Sequence, residues 1–203
     1  MFKKYWKFFV IFWSVVLVGI IGVFVFFWLI SAGKLGFMPT FEELENPNNR
    51  FASEVYFADG PIMNRYFEKE NRKYIEYREI PQSVIDALIA TEDVRFYDHS
   101  GVDVRGLFRV AKGLLTANTS AGGGSTISQQ LAKMLFPRES DLNVFELAIR
   151  KFREWVIAVR LEKSYTKEEI LTMYLNKYDF LNLAVGISSA ADIYCQVPLD
   201  SLK

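Results

Sequence analysis

The feature that most limits what this chain can become is an uncharged run of 23 residues, Phe8 to Ile30, rich in Phe, Trp, Val and Ile. At about 1.5 Å of rise per residue, a helix over that run spans a bilayer core of roughly 30 Å. Lys3, Lys4 and Lys7 precede it and only Lys34 follows closely. Positive charge stays on the cytoplasmic side. The sequence therefore predicts a cytoplasmic tail at 1–7, a transmembrane helix at 8–30 and an exported remainder. A cleaved signal peptide is the alternative, but its apolar region is about 7–15 residues long, so the length favours an uncleaved anchor. Gly19 and Gly22 lack the spacing of the common small-residue dimer motif and read as lipid-facing.

Beyond the anchor about 170 residues remain, enough for one domain. Lys+Arg and Asp+Glu are equal at 24 each, a balance that gives no support to nucleic-acid binding. The single cysteine, Cys195, cannot form an internal disulfide. The single histidine, His99, with no cysteine partner argues against a zinc site, so the exported part must be held by its core.

Residues 31–80 read as a linker and β-hairpin region. Ser31 to Asn49 holds Gly33, Gly36, Pro39, Pro47 and an acidic cluster. Ser53 to Phe57 and Ile62 to Phe67 are extended in pattern, with Ala58-Asp59-Gly60 as the turn, and a short strand near Tyr74 to Tyr77 could add to them. From Pro81 the pattern is helical to about Tyr194, without internal repeats. Five helices are predicted: Pro81 to His99; Val104 to Leu115; Ser125 or Thr126 to near Pro137; after Asp141 to about Lys163; and one from Thr166, whose hydroxyl with Glu169 makes a capping box. The last stretch, Val185 to Tyr194, is small and apolar.

Three places carry possible chemistry. In the first helix, Val84, Ile85, Leu88, Ile89 and Phe96 form an apolar stripe, and Glu92 falls on it, whereas Asp86 lies on the other face. A carboxylate forced against apolar neighbours loses hydration and gains basicity, as a general base requires. Next, Thr119 to Lys133 holds Gly122-Gly123-Gly124 running into a helix, an arrangement whose free N–H groups suit a phosphate. A flexible loop with a good N-cap fits equally well, and no Gly-Lys-Ser/Thr closes it as a P-loop. Lys133 is placed to reach an anion or simply to be solvated. Finally, Arg150, Lys151 and Glu154 lie on the fourth helix, where spacing alone most often means an ordinary surface ion pair. Two carboxylates, a cationic cluster and a glycine-rich loop suggest sugar or phosphate transfer.

These residues stand in four ordered motifs. Glu-Asp-x-x-Phe-x-x-His-x-Gly lies at Glu92, Asp93, Phe96, His99 and Gly101. Gly-x-Ser-Thr-Ile-x-Gln-Gln-Leu-x-Lys is nearly complete at Gly123, Ser125, Thr126, Ile127, Gln129, Gln130, Leu131 and Lys133. Arg-Lys-x-x-Glu lies at Arg150, Lys151 and Glu154; the fourth motif covers Tyr165 to Leu171 and Tyr174 to Asn176. In them the chain resembles the peptidoglycan glycosyltransferases, the transferase domain of class A penicillin-binding proteins and of monofunctional transglycosylases. The resemblance implies a mainly α, lysozyme-like glycosyltransferase domain at 81–203, with a small N-terminal β-hairpin and one preceding transmembrane helix.

The same resemblance implies polymerisation of lipid II at the outer face of the bacterial cytoplasmic membrane, with release of undecaprenyl pyrophosphate. It makes Glu92 the general base and Glu154 the second acidic residue. Lys133, Arg150 and Lys151 would meet the pyrophosphate, and Asp93, Ser125, Thr126, Gln129 and Gln130 would shape the substrate site. His99 reads as structural. No cofactor is required, although a divalent cation such as magnesium assists some relatives. Implied partners are lipid II, the growing glycan strand, the membrane, and other cell-wall synthesis and division proteins.

The sequence departs from the family pattern at Asp179 to Leu183, where relatives carry a glycine-rich loop. It departs again at Glu146, where many carry Arg and Arg138 is the candidate substitute, and at Tyr194 to Val197. The family's last helices and a transpeptidase domain do not follow, so the chain reads as truncated, with apolar faces exposed. A membrane-anchored lytic muramidase and an inactive truncated scaffold are the alternative readings.

Overall fold

The computed structural model describes residues 2–36, 38–40, 53–56, 62–66, 74–116, 123–136 and 143–202. Several expected features lie outside them: most of the linker (41–52), the turn at Ala58-Asp59-Gly60, the loop from Thr119 to Gly122, and Pro137, Arg138 and Asp141. The described part is mainly helical: α1 (Phe2–Ser31), β1 (Ser53–Tyr56), β2 (Ile62–Tyr66), α2 (Gln82–Glu92), α3 (Val104–Leu115), α4 (Ile127–Leu135), α5 (Val144–Ser164), α6 (Lys167–Lys177) and the short α7 (Ile187–Ala190). The chain divides into two compact units, residues 1–38 with 141–156, and 39–140 with 157–203.

In the first unit, Tyr5–Ser31 is long and apolar enough to cross a membrane, and none of its most apolar window is buried. At its C-terminal end Phe26 and Phe27 meet Phe152 edge-on, at 5.3 and 5.7 Å between ring centroids, and Phe152 meets Trp155 at 5.1 Å. The start of α5 explains one departure from the family pattern. Asn143 accepts from the Glu146 N–H at 2.9 Å while the Glu146 carboxylate accepts from the Asn143 N–H at 2.8 Å. Glu146 is thus the third-position carboxylate of a reciprocal cap, a role an arginine cannot fill.

In the second unit β1 and β2 pair antiparallel, Ser53 opposite Tyr66 and Val55 opposite Asn64. Residues 74–76 form no strand, contrary to expectation, and Tyr77–Glu79 is a 3-10 turn. Asn176 explains why. Its side chain accepts from the Ile75 N–H at 3.0 Å and donates to the Ile75 carbonyl at 2.9 Å, taking both groups that a ladder would use. The core gathers Ile85, Phe96, Ile127, Leu131, Ala158, Leu161, Ile170 and Leu171, all nearly inaccessible. The expected capping box at Thr166 and Glu169 starts α6. The apolar face of α3 stays outside: Val104, Phe108 and Leu115 are exposed, with Arg105, Arg109 and Lys112 also exposed on that helix.

Two corrections bear on function. The first predicted helix does not run to His99. It ends at Glu92, because Asp93 leaves helical geometry (φ −156°, ψ 74°) to bond elsewhere, and Phe96–Asp98 forms a separate 3-10 turn. The loop at 179–185 also takes an unusual course. Leu181, Asn182 and Leu183 all have positive φ, at 68°, 49° and 66°. Three non-glycine residues in a row thus hold a left-handed bend. Bonds from the Leu181 N–H to Asp179 (2.8 Å) and from the Tyr194 hydroxyl to the Phe180 carbonyl (2.6 Å) support it.

Candidate active site

Glu92 closes the last turn of α2 and is exposed. The stripe through Glu92 is not one buried helix face: Phe96 is buried off the helix, and Val84 and Leu88 are not core residues. With Glu92, Tyr174, Tyr178, Phe180 and Ile187 they line an open cavity of about 530 Å³. The apolar side chains near Glu92 are the wall of a cleft, and desolvation of the carboxylate falls to whatever fills that cleft. Gln130 Nε2 donates to Glu92 Oε2 at 2.7 Å, and the Tyr174 hydroxyl donates to Gln130 Oε1 at 3.1 Å.

Behind Glu92 the first two motifs lock together. Asp93, 7% exposed, accepts from the Ile127 N–H at 3.1 Å and from His99 Nε2 at 3.0 Å. His99 Nδ1 accepts from the Gly101 N–H at 3.3 Å, so the ring proton sits on Nε2, facing Asp93. The Gly101 carbonyl accepts from Thr126 Oγ1 at 2.7 Å and Gln129 Nε2 at 3.2 Å. Gly101 itself has φ +94°, and a Cβ there would lie 2.8 Å from the Ala158 carbonyl group and the Val159 nitrogen. The structural reading of His99 agrees with this geometry.

This arrangement alters two expectations. Asp93, Thr126 and Gln129 are buried and bonded within the protein. Asp93 and Thr126 also line a small pocket with Glu92 and Ser125. The first N–H groups of α4, which the glycine-rich loop promised to an anion, are already engaged. Ile127 donates to Asp93, and Gln129 donates to Thr126 Oγ1 at 3.2 Å. A protein carboxylate thus occupies the positive end of the helix. Ser125 is half-buried, Gln130 half-buried and Lys133 exposed, one turn beyond Gln130 on the same side of α4.

Lys167 and Glu162 brace this region and were not singled out from sequence. Lys167 Nζ donates to the His99 carbonyl at 2.7 Å, pairs with Glu162 at 2.8 Å and lies 4.2 Å from the centre of the Phe96 ring. Glu162 also accepts from Ser128. Five residues separate Glu162 from Lys167 across a helix break, so no periodic pattern marks the pair. On the rim, Asp103 pairs with Arg95. Burial pushes the Asp103 carboxyl up, but the Arg95 hydrogen bond, the Gly106 N–H and the Arg95 charge outweigh it and hold the group below its ordinary value.

In the other unit, Lys151 Nζ meets Glu154 Oε2 at 3.0 Å. Glu154 is only 9% exposed, so this is not the ordinary surface pair that spacing suggested. Arg150 and Lys151 are half-buried. Among the described residues no three His, Cys, Asp or Glu side chains come together to hold a metal ion.

Comparison with known proteins agrees with these motifs. The family model described as Transglycosylase matches residues 59–203. Penicillin-binding protein 1A of Escherichia coli K12 is 38% identical over 165 residues, 81% of this chain and 19% of that protein. The corresponding protein of Pseudomonas aeruginosa is 37% identical over 166 residues, 82% of this chain and 20% of its own. That of Haemophilus influenzae is 37% identical over 174 residues, 86% and 19%. The chain spans about a fifth of the length of these relatives. With a family match that runs unbroken through the Glu92 cleft, its bracing residues and the Lys151–Glu154 pair, the chain belongs to the transglycosylase family.

Proposed function

We propose that the chain is a peptidoglycan glycosyltransferase with the lysozyme-like fold of that family, the paired strands forming its small N-terminal hairpin. It polymerises lipid II into glycan strands. The 4-hydroxyl of the acceptor sugar attacks C1 of the donor, and its proton passes to Glu92. The bond from C1 to the pyrophosphate oxygen breaks, its electron pair leaves with undecaprenyl pyrophosphate, and the anomeric centre inverts. The observation that carries the reading is Glu92 at the mouth of an apolar-walled cleft, its carboxylate accepting from Gln130.

Lys133 offsets charge on the departing pyrophosphate, and the family resemblance gives Arg150 and Lys151 the same task, with Glu154 as the second acidic residue. Ser125 and Gln130 face the substrate; Asp93, Thr126 and Gln129 keep those residues in place. The reaction in this reading requires no cofactor. The N-terminal helix anchors the chain in the bacterial cytoplasmic membrane, N-terminus inside, so that a lipid-linked substrate meets the site in two dimensions. The exposed apolar stripe of α3 with its neighbouring Arg and Lys suits a membrane surface. Other cell-wall synthesis and division proteins are its expected partners.

Labelled lipid II supplied to the detergent-solubilised chain tests this directly. Glycan polymer and released undecaprenyl pyrophosphate are expected. Cleavage of finished glycan instead would identify a muramidase, and neither product would leave only a scaffold.

A further inference from the structure

We infer that Tyr174 is a positioning residue for the Glu92 carboxylate, acting through the side-chain amide of Gln130. The inference rests on the proposed role of Glu92 as base. A primary amide has one end that only donates and one that only accepts, while an ionised carboxylate only accepts. Gln130 must therefore turn its nitrogen toward Glu92, as it does at 2.7 Å, and its oxygen away. What faces the oxygen decides whether that orientation holds.

The Tyr174 hydroxyl supplies the donor, at 3.1 Å. Tyr174 is 2% exposed and its ring is stacked on Tyr178, with centroids 5.3 Å apart and planes at 29°. Its helix is pinned at one end by the Thr166–Glu169 cap and near the other by the Asn176 bonds to Ile75. Burial, and then the charge of Glu92, push the Tyr174 hydroxyl well up, so it remains a donor through the working pH range. Glu92, by contrast, is exposed, and Gln130 is its one hydrogen-bond donor among the described residues. A rigid, buried hydroxyl thus sets an otherwise free carboxylate. Without it, rotating the amide would aim an oxygen at the carboxylate and disfavour its charged form.

The other charged or titratable groups around Glu92 are Asp93, Arg95, Asp103 and Arg109 on one side and Tyr178 on the other. Tyr174→Phe alters none of them and keeps the ring, so the cleft wall stays. In the full chain with lipid II, Tyr174→Phe is expected to lower kcat about tenfold, the loss of one hydrogen bond in a charged chain. KM should stay within about twofold, since the ring that lines the cleft is kept and the hydroxyl is committed to Gln130. The acid limb of the pH–rate profile should move to higher pH. Gln130→Met should cost at least as much, and adding Tyr174→Phe to it should cost nothing more.

A fall in kcat with an unmoved acid limb, or additive losses in the double variant, overturns the inference. Carboxyl ¹³C titration of Glu92, assigned by the signal missing from Glu92→Gln, reads the same effect without turnover. It should move upward in Tyr174→Phe, and an unmoved titration overturns the inference in an inactive chain as well. Turnover surviving in Glu92→Gln overturns the base reading instead and leaves the titration result standing.

Discussion

Replacing Gly101 by alanine tests the lock between the first two motifs. At φ +94° an L-residue is strained by about 1–2 kcal/mol. The new Cβ would also sit 2.8 Å from three backbone atoms of Ala158 and Val159, which cannot swing aside as a side-chain tip can. Overpacking of that kind costs about 1–3 kcal/mol. Together the loss is about 2–5 kcal/mol, or a fall in Tm of roughly 4–20 °C for a chain of this size. The damage should also reach function, because the Gly101 carbonyl holds Thr126 and Gln129. Gly123→Ala is the internal control: a Cβ there meets nothing within 4 Å, and its effect should stay within about 0.5 kcal/mol. Thermal unfolding of the detergent-solubilised chain reads both. Equal Tm values for the two variants would refute the close-approach argument.

Other outcomes follow from the same structure. Asp103 is held below its ordinary value, so it stabilises the fold fully above its unfolded pKa of about 4 and progressively less as pH falls through its lower folded value. Asp103→Asn should be less stable at neutral pH and show a flatter loss of stability below about pH 4, as followed by acid unfolding. Leu183→Gly should relieve a left-handed residue that is 66% exposed, raising stability by up to about 1 kcal/mol in a thermal melt. A lower Tm for this variant would mean that the bend is held by contacts of the leucine itself.

What could be read in advance was mostly local. The apolar run became α1, the Thr166–Glu169 spacing became a capping box, and α3 has the expected bounds, because each depends on neighbours within a few residues. The stripe through Glu92 failed at Asp93, whose partners lie 6 and 34 positions away. The same non-local bonds turned Asp93, Thr126 and Gln129 inward. Tyr174 was visible only as a letter in a motif, since its partner Gln130 is 44 residues distant. The loop at Asp179 to Leu183 stood out only as a departure from a glycine-rich pattern; its left-handed backbone did not, because bulky residues normally argue against one.

The central claim is that Glu92 takes the proton of the acceptor hydroxyl, and the rate of lipid II polymerisation by Glu92→Gln tests it most directly. Glutamine keeps the size of the side chain and its place beside Gln130 but removes the base. A loss of about 10²–10⁴-fold in rate is expected, with lipid II binding retained. Polymerisation within about threefold of the unaltered chain would contradict it, since a positioned general base contributes far more than that.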